Sequence, residues 1–186
     1  MQKSGARTTW INAGLDQIGR GGIEAVRIEV LAKALGVTKG GFYWHFKDRR
    51  DLLAAILEDW RLGRIAAIEK QTQSAGRNAR ERLLGLVRLY SEAVNPQGMA
   101  IELAIRQWAR HDSHAAEAAR SVDVARLRSI SSLYEELGQD RRQAEQRALL
   151  FYSFVFGQSL LFLEKSSRAR RELTGACAEL LAELAD

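Results

Sequence analysis

Helical spacing of the apolar residues is the feature that most limits what this chain of 186 residues can fold into. The single proline is Pro96, and no stretch alternates apolar and polar residues for long enough to predict a strand. Glycine-rich or polar breaks divide the chain into about nine helical stretches. Because proline disrupts helix interiors and a half-buried strand needs a two-residue period, the pattern predicts an all-α protein.

Helix boundaries are clearest in the first third of the chain. A first helix ends at the Gly21-Gly22 pair, and a second spans about Ile28 to Leu35, with Gly36 as its stop. Thr38 is a suitable N-cap for a third helix, and Asp48 for a long fourth one. Five further helices are predicted at about 77–94, 97–111, 115–137, 140–164 and 167–185.

Composition indicates the class of protein. With 46% hydrophobic residues the chain can bury a large core, and its single cysteine, Cys177, excludes an internal disulfide. No run approaches the roughly 20 apolar residues of a membrane span, and Arg7 and Asp16 interrupt the apolar residues near the N-terminus. We therefore expect a cytoplasmic protein without a membrane segment.

The excess positive charge is confined to residues 1–50. This segment holds nine lysines and arginines against four acidic residues, whereas the remaining 136 residues hold 19 of each sign. A solvated charged face would spread the excess along the chain. A basic N-terminal segment on a neutral body instead predicts that this segment alone binds a polyanion.

Residues 36–50 combine a turn, a short helix and a run of basic residues after that helix. Phe42 and Phe46 lie four positions apart, so a helix would direct both into one core, with Gly40 and Trp44 roughly opposite. The preceding helix and the short glycine-containing turn make this a helix-turn-helix. The outward residues of the third helix are suited to lie against a partner.

The run from Val37 to Leu53 resembles the signature of the tetracycline-repressor (TetR) family of bacterial transcription regulators, and residues 31–36 resemble that family's second helix. The similarity covers residues 7–57, and the helical remainder has the expected length. The resemblance implies an N-terminal three-helix DNA-binding domain, residues 1–50. It also implies a C-terminal helical domain for effector binding and dimerisation, residues 51–186.

The resemblance also implies how DNA is contacted, since in this family the third helix enters the major groove. Thr38 and Tyr43 would bind backbone phosphates, Lys39 a phosphate or a guanine edge, and Trp44 a base-pair edge or a thymine methyl. Two copies in a dimer would read a palindromic operator. The full set of expected DNA-binding residues is Arg27, Thr38, Lys39, Gly40, Gly41, Tyr43, Trp44, His45 and Lys47.

Several of these residues have a plainer interpretation. His45 is as consistent with capping or packing as with a phosphate contact. Arg49 and Arg50 are further candidates for phosphate contacts, and they are as consistent with pairing to acids such as Asp48. The Gly40-Gly41 pair weakens its helix by roughly 0.5–1 kcal/mol per glycine, and it is either a frayed first turn or a way to bring the backbone close to the groove. Direct readout would then depend mainly on Lys39 and Trp44.

One position departs from the family pattern. Many relatives have threonine at the start of the second helix, where it caps the helix and contacts phosphate, but this chain has Arg27. An arginine side chain cannot accept a capping hydrogen bond, although it can still bind phosphate. Glu29 in the same turn favours the positive end of the helix dipole.

The C-terminal segment predicts self-association. Residues 149–163 are apolar around most of a helix, and Leu173, Leu180 and Leu184 belong to a second apolar face. In the TetR family the last two helices form a four-helix bundle with a second copy, so we expect a homodimer through about 140–185. A core within one chain is the alternative.

A small-molecule effector is implied by the resemblance, although its identity is not readable. Aromatic side chains at helical spacing are more often part of a packed core than of a ligand pocket. The expected pocket residues are Trp60, Tyr90, Met99, Trp108, Tyr134, Phe151 and Phe154.

Catalysis and metal binding are not indicated. The sequence has no convergent nucleophile and base and no phosphate-binding glycine loop, and His111 and His114 lie at a predicted helix break without a third ligand nearby. We expect no enzyme activity and no cofactor. We expect a repressor. The alternative is a helical scaffold or interaction protein with a basic end and no specific operator.

Overall fold

The computed structural model describes residues 2–92, 95–161 and 167–183, and its regular elements are all helices. A short 3-10 turn, Ile23–Ala25, separates the first two of them. The helices are α1 (Gln2–Gly21), α2 (Ile28–Leu35), α3 (Lys39–Phe42), α4 (Arg49–Ser74), α5 (Ala79–Glu92), α6 (Pro96–Ala109), α7 (Ser113–Glu136), α8 (Arg141–Leu160) and α9 (Ser167–Glu183).

The predicted all-α fold is confirmed, and α2 has the predicted bounds. The later helices begin and end within a few residues of their predicted limits. Parts of the predicted ranges, at residues 93–94, 162–164 and 184–185, lie outside the described residues. No described helix is long and apolar enough to cross a membrane.

Local capping chemistry sets most helix boundaries. Gly36 has a φ of 67°, a left-handed conformation that ends α2 and that glycine adopts without steric cost. Asn95 accepts a hydrogen bond from the Gly98 amide at 2.8 Å, and Pro96 takes the first helical position of α6. Asp140 caps α8 in the same way, through the amide of Gln143.

The chain divides into two compact units. The first runs to Gly63 and resumes from Asn95 to Val122, so that it contains α1 to α3, the first part of α4, α6 and the beginning of α7. Here α1 packs along α6 and against α2. A Cβ at Gly14 would lie 2.3 Å from Ile56 Cδ1, so glycine allows α1 and α4 to approach closely.

The second unit comprises Arg64 to the end of α5 and the chain from Asp123 onward. Its core joins residues of α5, α7 and α8, and α5 also packs on α9. The Tyr134 hydroxyl donates to the Leu181 carbonyl at 3.1 Å, which ties α7 to α9. The functional boundary predicted at residue 50 stays a prediction.

Candidate nucleic-acid interface

The α2–α3 corner is built by backbone and cap hydrogen bonds. The Val37 amide donates to the Ala32 carbonyl at 3.0 Å, closing the end of α2. Thr38 then caps α3, its hydroxyl accepting from the Gly41 amide at 3.3 Å. The cap predicted at Thr38 is confirmed, and the corner is a helix-turn-helix.

The third helix is shorter than a helix carrying both phenylalanines would be. It ends at Phe42, although the Phe46 amide still donates to the Phe42 carbonyl at 3.1 Å. Two glycines in the only full turn give it little intrinsic stability, which accounts for its length. Burial of Phe42 and Phe46 is nonetheless as predicted, because the following turn keeps a helical path.

Aromatic packing anchors this corner to α1. The Phe42 and Phe46 rings stack with centroids 5.4 Å apart, and the Trp10 ring meets Phe42 edge-on at 5.3 Å. The Arg7 guanidinium lies over the Phe46 ring, 4.9 Å from its centroid. The short helix therefore owes its position to side-chain packing, since its own hydrogen bonds are few.

Large side chains lie exposed on the other side of the corner. Trp44 is 81% exposed and Tyr43 is 54% exposed, and the Tyr43 and Phe42 rings meet in a T-shaped contact. Lys47 is exposed and His45 is half-buried. A tryptophan so open to solvent within the basic segment favours a binding surface.

Lys39 lies at the start of α3 and already has a partner. Its Nζ atom is 2.5 Å from the Glu29 carboxylate in the first turn of α2. The hydrogen bond between them lowers the pKa of Glu29 and raises that of Lys39. Arg27 is exposed at the N-cap of α2 and makes no side-chain cap, as its chemistry predicts.

Arg49 braces the loop before α2, a contact that the sequence does not indicate. Its guanidinium donates to the carbonyls of Val26 at 2.7 Å and Ile23 at 2.6 Å. Its acidic neighbour is Glu24, 3.7 Å away. No local pattern identifies such a contact, because the partners lie 23 and 26 residues earlier in the chain.

Asp48 caps α4 as predicted, and Asp51 accepts a second hydrogen bond at the same helix end. Its carboxylate accepts from the Asp51 amide at 2.8 Å, while the Asp51 carboxylate accepts from the Lys47 amide at 2.9 Å. The scheme differs from a capping box in that the second amide belongs to Lys47, the residue before the N-cap, and not to Asp48 itself. It fixes the backbone from which the Lys47 side chain extends.

Four of the expected effector residues lie in the core of the second unit. Tyr134 and Phe151 are fully buried there, and Tyr90 and Phe154 pack against the same cluster. The Tyr90 hydroxyl donates to the Gln71 side-chain oxygen at 3.2 Å. These positions contribute to packing, and their expected effector contacts stay predictions.

The other three, Trp60, Met99 and Trp108, lie in the first unit. Trp108 lines a cleft of about 310 Å³ between α4, α6 and α7. Trp60 is buried on α4, and its indole N–H has no acceptor within the part of the chain that the structure describes. The cleft residues are Arg50, Leu53, Ala54, Leu57, Glu58, Arg61, Trp108, Asp112, His114, Glu117 and Ala118.

Fixed charges surround this cleft. Asp112 accepts from the Ala115 amide at 2.9 Å, and this bond, with others from the His114 amide and the Trp108 side chain, lowers the pKa of its carboxyl. Glu58 is held by two hydrogen bonds from Arg61, at 2.7 and 2.8 Å. Within the described ranges, no group of three or more histidine, cysteine or acidic side chains is arranged to hold a metal ion.

Helices α8 and α9 expose apolar side chains in the second unit, and the two helices contact each other. On α8, Leu149 and Leu160 are eleven residues apart, about three turns, so these two side chains share one side of the helix. Leu173 and Leu180 on α9 are seven residues apart. The exposed leucines of the pair, with Leu161 directly after the end of α8, are Leu149, Leu150, Leu160, Leu161, Leu173 and Leu180.

Known proteins resemble the first part of this chain in sequence. Residues 11–56 match the family model described as "Bacterial regulatory proteins, tetR family". Over 37 residues the chain is 49% identical to the HTH-type transcriptional regulator AcrR of Shigella flexneri. That match covers 20% of this chain and 17% of AcrR, so only a minor part of the curated relative's length is spanned.

Solved structures resemble the chain over nearly its whole length. A TetR-family transcriptional regulator from Cytophaga hutchinsonii gives a TM-score of 0.77 at 18% identity, covering 98% of this chain and 96% of that one. FadR from Bacillus subtilis, solved in complex with stearoyl-CoA, gives 0.67 at 17% identity, covering 94% and 97%. At these identities the likeness establishes the fold.

Proposed function

We propose that this chain, which belongs to the tetR family of bacterial regulatory proteins, binds operator DNA through its α2–α3 corner and regulates transcription in the cytoplasm. The observation that carries the proposal is the exposed Trp44 beside Tyr43 on a corner held from behind by Phe42 and Phe46. All the excess positive charge of the chain lies in the segment containing this corner. Double-stranded DNA, a polyanion whose base edges are accessible in the grooves, fits both features.

Each exposed residue has a proposed contact. Trp44 meets a base-pair edge or thymine methyl, and Tyr43 donates its hydroxyl to a phosphate. Arg27, His45 and Lys47 contact the phosphate backbone at the sides of α3. Gly40 and Gly41 let the backbone come near the groove, with Thr38 and Lys39 at the leading end.

The proposed active species is a homodimer. The exposed leucines of α8 and α9 form a surface that a second copy would cover, and two-fold symmetry makes the same surface meet itself. Such a dimer would present two recognition helices to successive major grooves, about 34–36 Å apart. The operator would then be palindromic.

The proposed control is release from DNA by a small molecule. The cleft of about 310 Å³ lies at the low end of ligand-pocket volumes, and it is lined by Trp108 and by the first three turns of α4. Because α4 is the next helix in the chain after the proposed recognition helix α3, a ligand in this cleft would contact the helix that follows α3 directly. The effector must bind the DNA-free conformation more tightly than the DNA-bound one.

Selection of bound duplexes from a random DNA pool tests the proposal. The purified full-length protein is expected to enrich a palindromic sequence and to lose affinity steeply as salt rises, because phosphate contacts release counterions. A scaffold with an incidental basic end would enrich no sequence. That outcome would exclude an operator-binding regulator.

A further inference from the structure

Glu29 brings a negative charge into the proposed DNA-binding surface. It lies in the first turn of α2, and its carboxylate is paired with Lys39, the first residue of α3 and ten positions later. Glu29 and Lys39 are 65% and 53% exposed, so the pair lies at the surface. It is therefore open to competition from an external anion.

Two favourable interactions hold this carboxylate. The Lys39 ammonium and the Glu29 backbone amide both favour its charged form. The amino end of α2 adds the positive end of a helix dipole, which attracts anions in general. A DNA phosphate would be attracted by the same lysine and the same helix end, so it would compete with Glu29 for them.

We propose that Glu29 is a specificity-determining residue that acts as an internal competitor of the DNA phosphates: it keeps Lys39 paired while the protein moves on DNA of arbitrary sequence, and yields it only when α3 seats on the operator. The inference rests on the proposed DNA-binding function, and it concerns how the protein discriminates operator from other DNA. Its physical basis is an exchange of one ion pair for another.

The exchange affects the two binding modes differently. Non-specific binding is almost entirely electrostatic, so a lysine neutralised by Glu29 removes about one phosphate contact from it. On the operator, contacts with bases bring α3 close enough for Lys39 to exchange Glu29 for a phosphate or a guanine edge. Glu29 therefore weakens non-specific binding more than operator binding.

Substitution Glu29→Gln is the test, because it removes the charge and keeps the shape. Fluorescence-anisotropy titrations of the full-length protein with random-sequence duplex and with the selected palindromic duplex are repeated over a salt series. We expect random duplex to bind about two- to fivefold more tightly, the range that one exposed ion pair supports. The salt slope should steepen by about 0.9, and the ratio of operator to random affinity should fall.

Two further variants make the test specific. Glu24→Gln removes one carboxylate from the same basic segment without touching Lys39, since Glu24 lies near Arg49. It calibrates the effect of net charge, and we expect it to change random-duplex affinity less than Glu29→Gln does. The combination of Glu29→Gln with Lys39→Met should lose the gain, because the released cation is then absent.

Three results would overturn the inference. The first is an increase in random-duplex affinity by Glu29→Gln that is no larger than the increase by Glu24→Gln. The second is an increase that persists in the double variant. The third is weaker binding of both duplexes by Glu29→Gln, which would show that the ion pair serves to position α3. Failure of the proposed function has a different signature, since the unsubstituted protein would then fail to distinguish the two duplexes. Circular dichroism melting curves check that every variant is folded.

Discussion

Among single residues, Trp44 offers the most direct test of the interface. Because the side chain is 81% exposed, Trp44→Ala should change the free energy of unfolding by no more than about 0.5 kcal/mol. Operator binding should weaken by about 1–3 kcal/mol, the range for losing one base contact. A gel-shift titration measures the affinity, and an unchanged value would remove Trp44 from the interface.

Arg49 should matter for stability, because two backbone carbonyls accept from its guanidinium. Arg49→Met should lower the free energy of unfolding by about 1.5–3 kcal/mol, since hydrogen bonds from a charged group are lost. Urea denaturation measures this loss. Arg50→Met is the matched control at an exposed neighbouring position, and equal destabilisation by both substitutions would contradict the assignment.

The short α3 helix tests whether its glycines serve stability or DNA binding. A Cβ at Gly40 would lie 3.7 Å from the Thr38 hydroxyl oxygen, an ordinary contact, so alanine fits the folded chain. Gly40→Ala should therefore stabilise the protein by roughly 0.5–1 kcal/mol, because alanine favours helix. If the backbone approaches the groove, the added methyl should at the same time weaken operator binding.

Gly63→Ala is the matched control for this prediction. Gly63 lies within α4, and a Cβ there would meet nothing within 4 Å. We expect a similar gain in stability and no change in operator affinity. Undiminished operator binding by Gly40→Ala would favour the alternative of a frayed turn without a role in DNA approach. Thermal melts and gel shifts on the three proteins measure both quantities.

The helices also show which parts of the structure are readable from sequence. Caps and stops act within four residues, so Gly36, Thr38 and Asp48 were predictable from local chemistry, as was the burial of Phe42 and Phe46. The extent of α3 was not, because the spacing of Phe42 and Phe46 favours one helix through both, whereas the two glycines leave a helix that ends at Phe42. Pairs such as Arg49 with Ile23 depend on tertiary contacts, and so does the cleft, whose lining residues span three helices.

For the whole molecule, association is the property on which operator reading depends. Leu180 lies 62% exposed on α9, where the proposed dimer would bury it. Leu180→Asp would place an unpaired charge in that apolar interface, a change that costs several kcal/mol when the charge stays buried. We expect the substitution to convert the dimer to a folded monomer, as measured by sedimentation equilibrium.

Loss of the dimer should also weaken operator binding. A monomer has one recognition helix and loses the second half-site, so affinity for the palindromic duplex should fall steeply, while affinity for a single half-site changes little. Leu62→Asp is the matched control, since Leu62 is a similarly exposed leucine, at 53%, on α4 in the first unit. It should leave both the mass and the palindrome affinity unchanged. A Leu180→Asp protein that still sediments as a dimer would show that the α9 surface is not the interface.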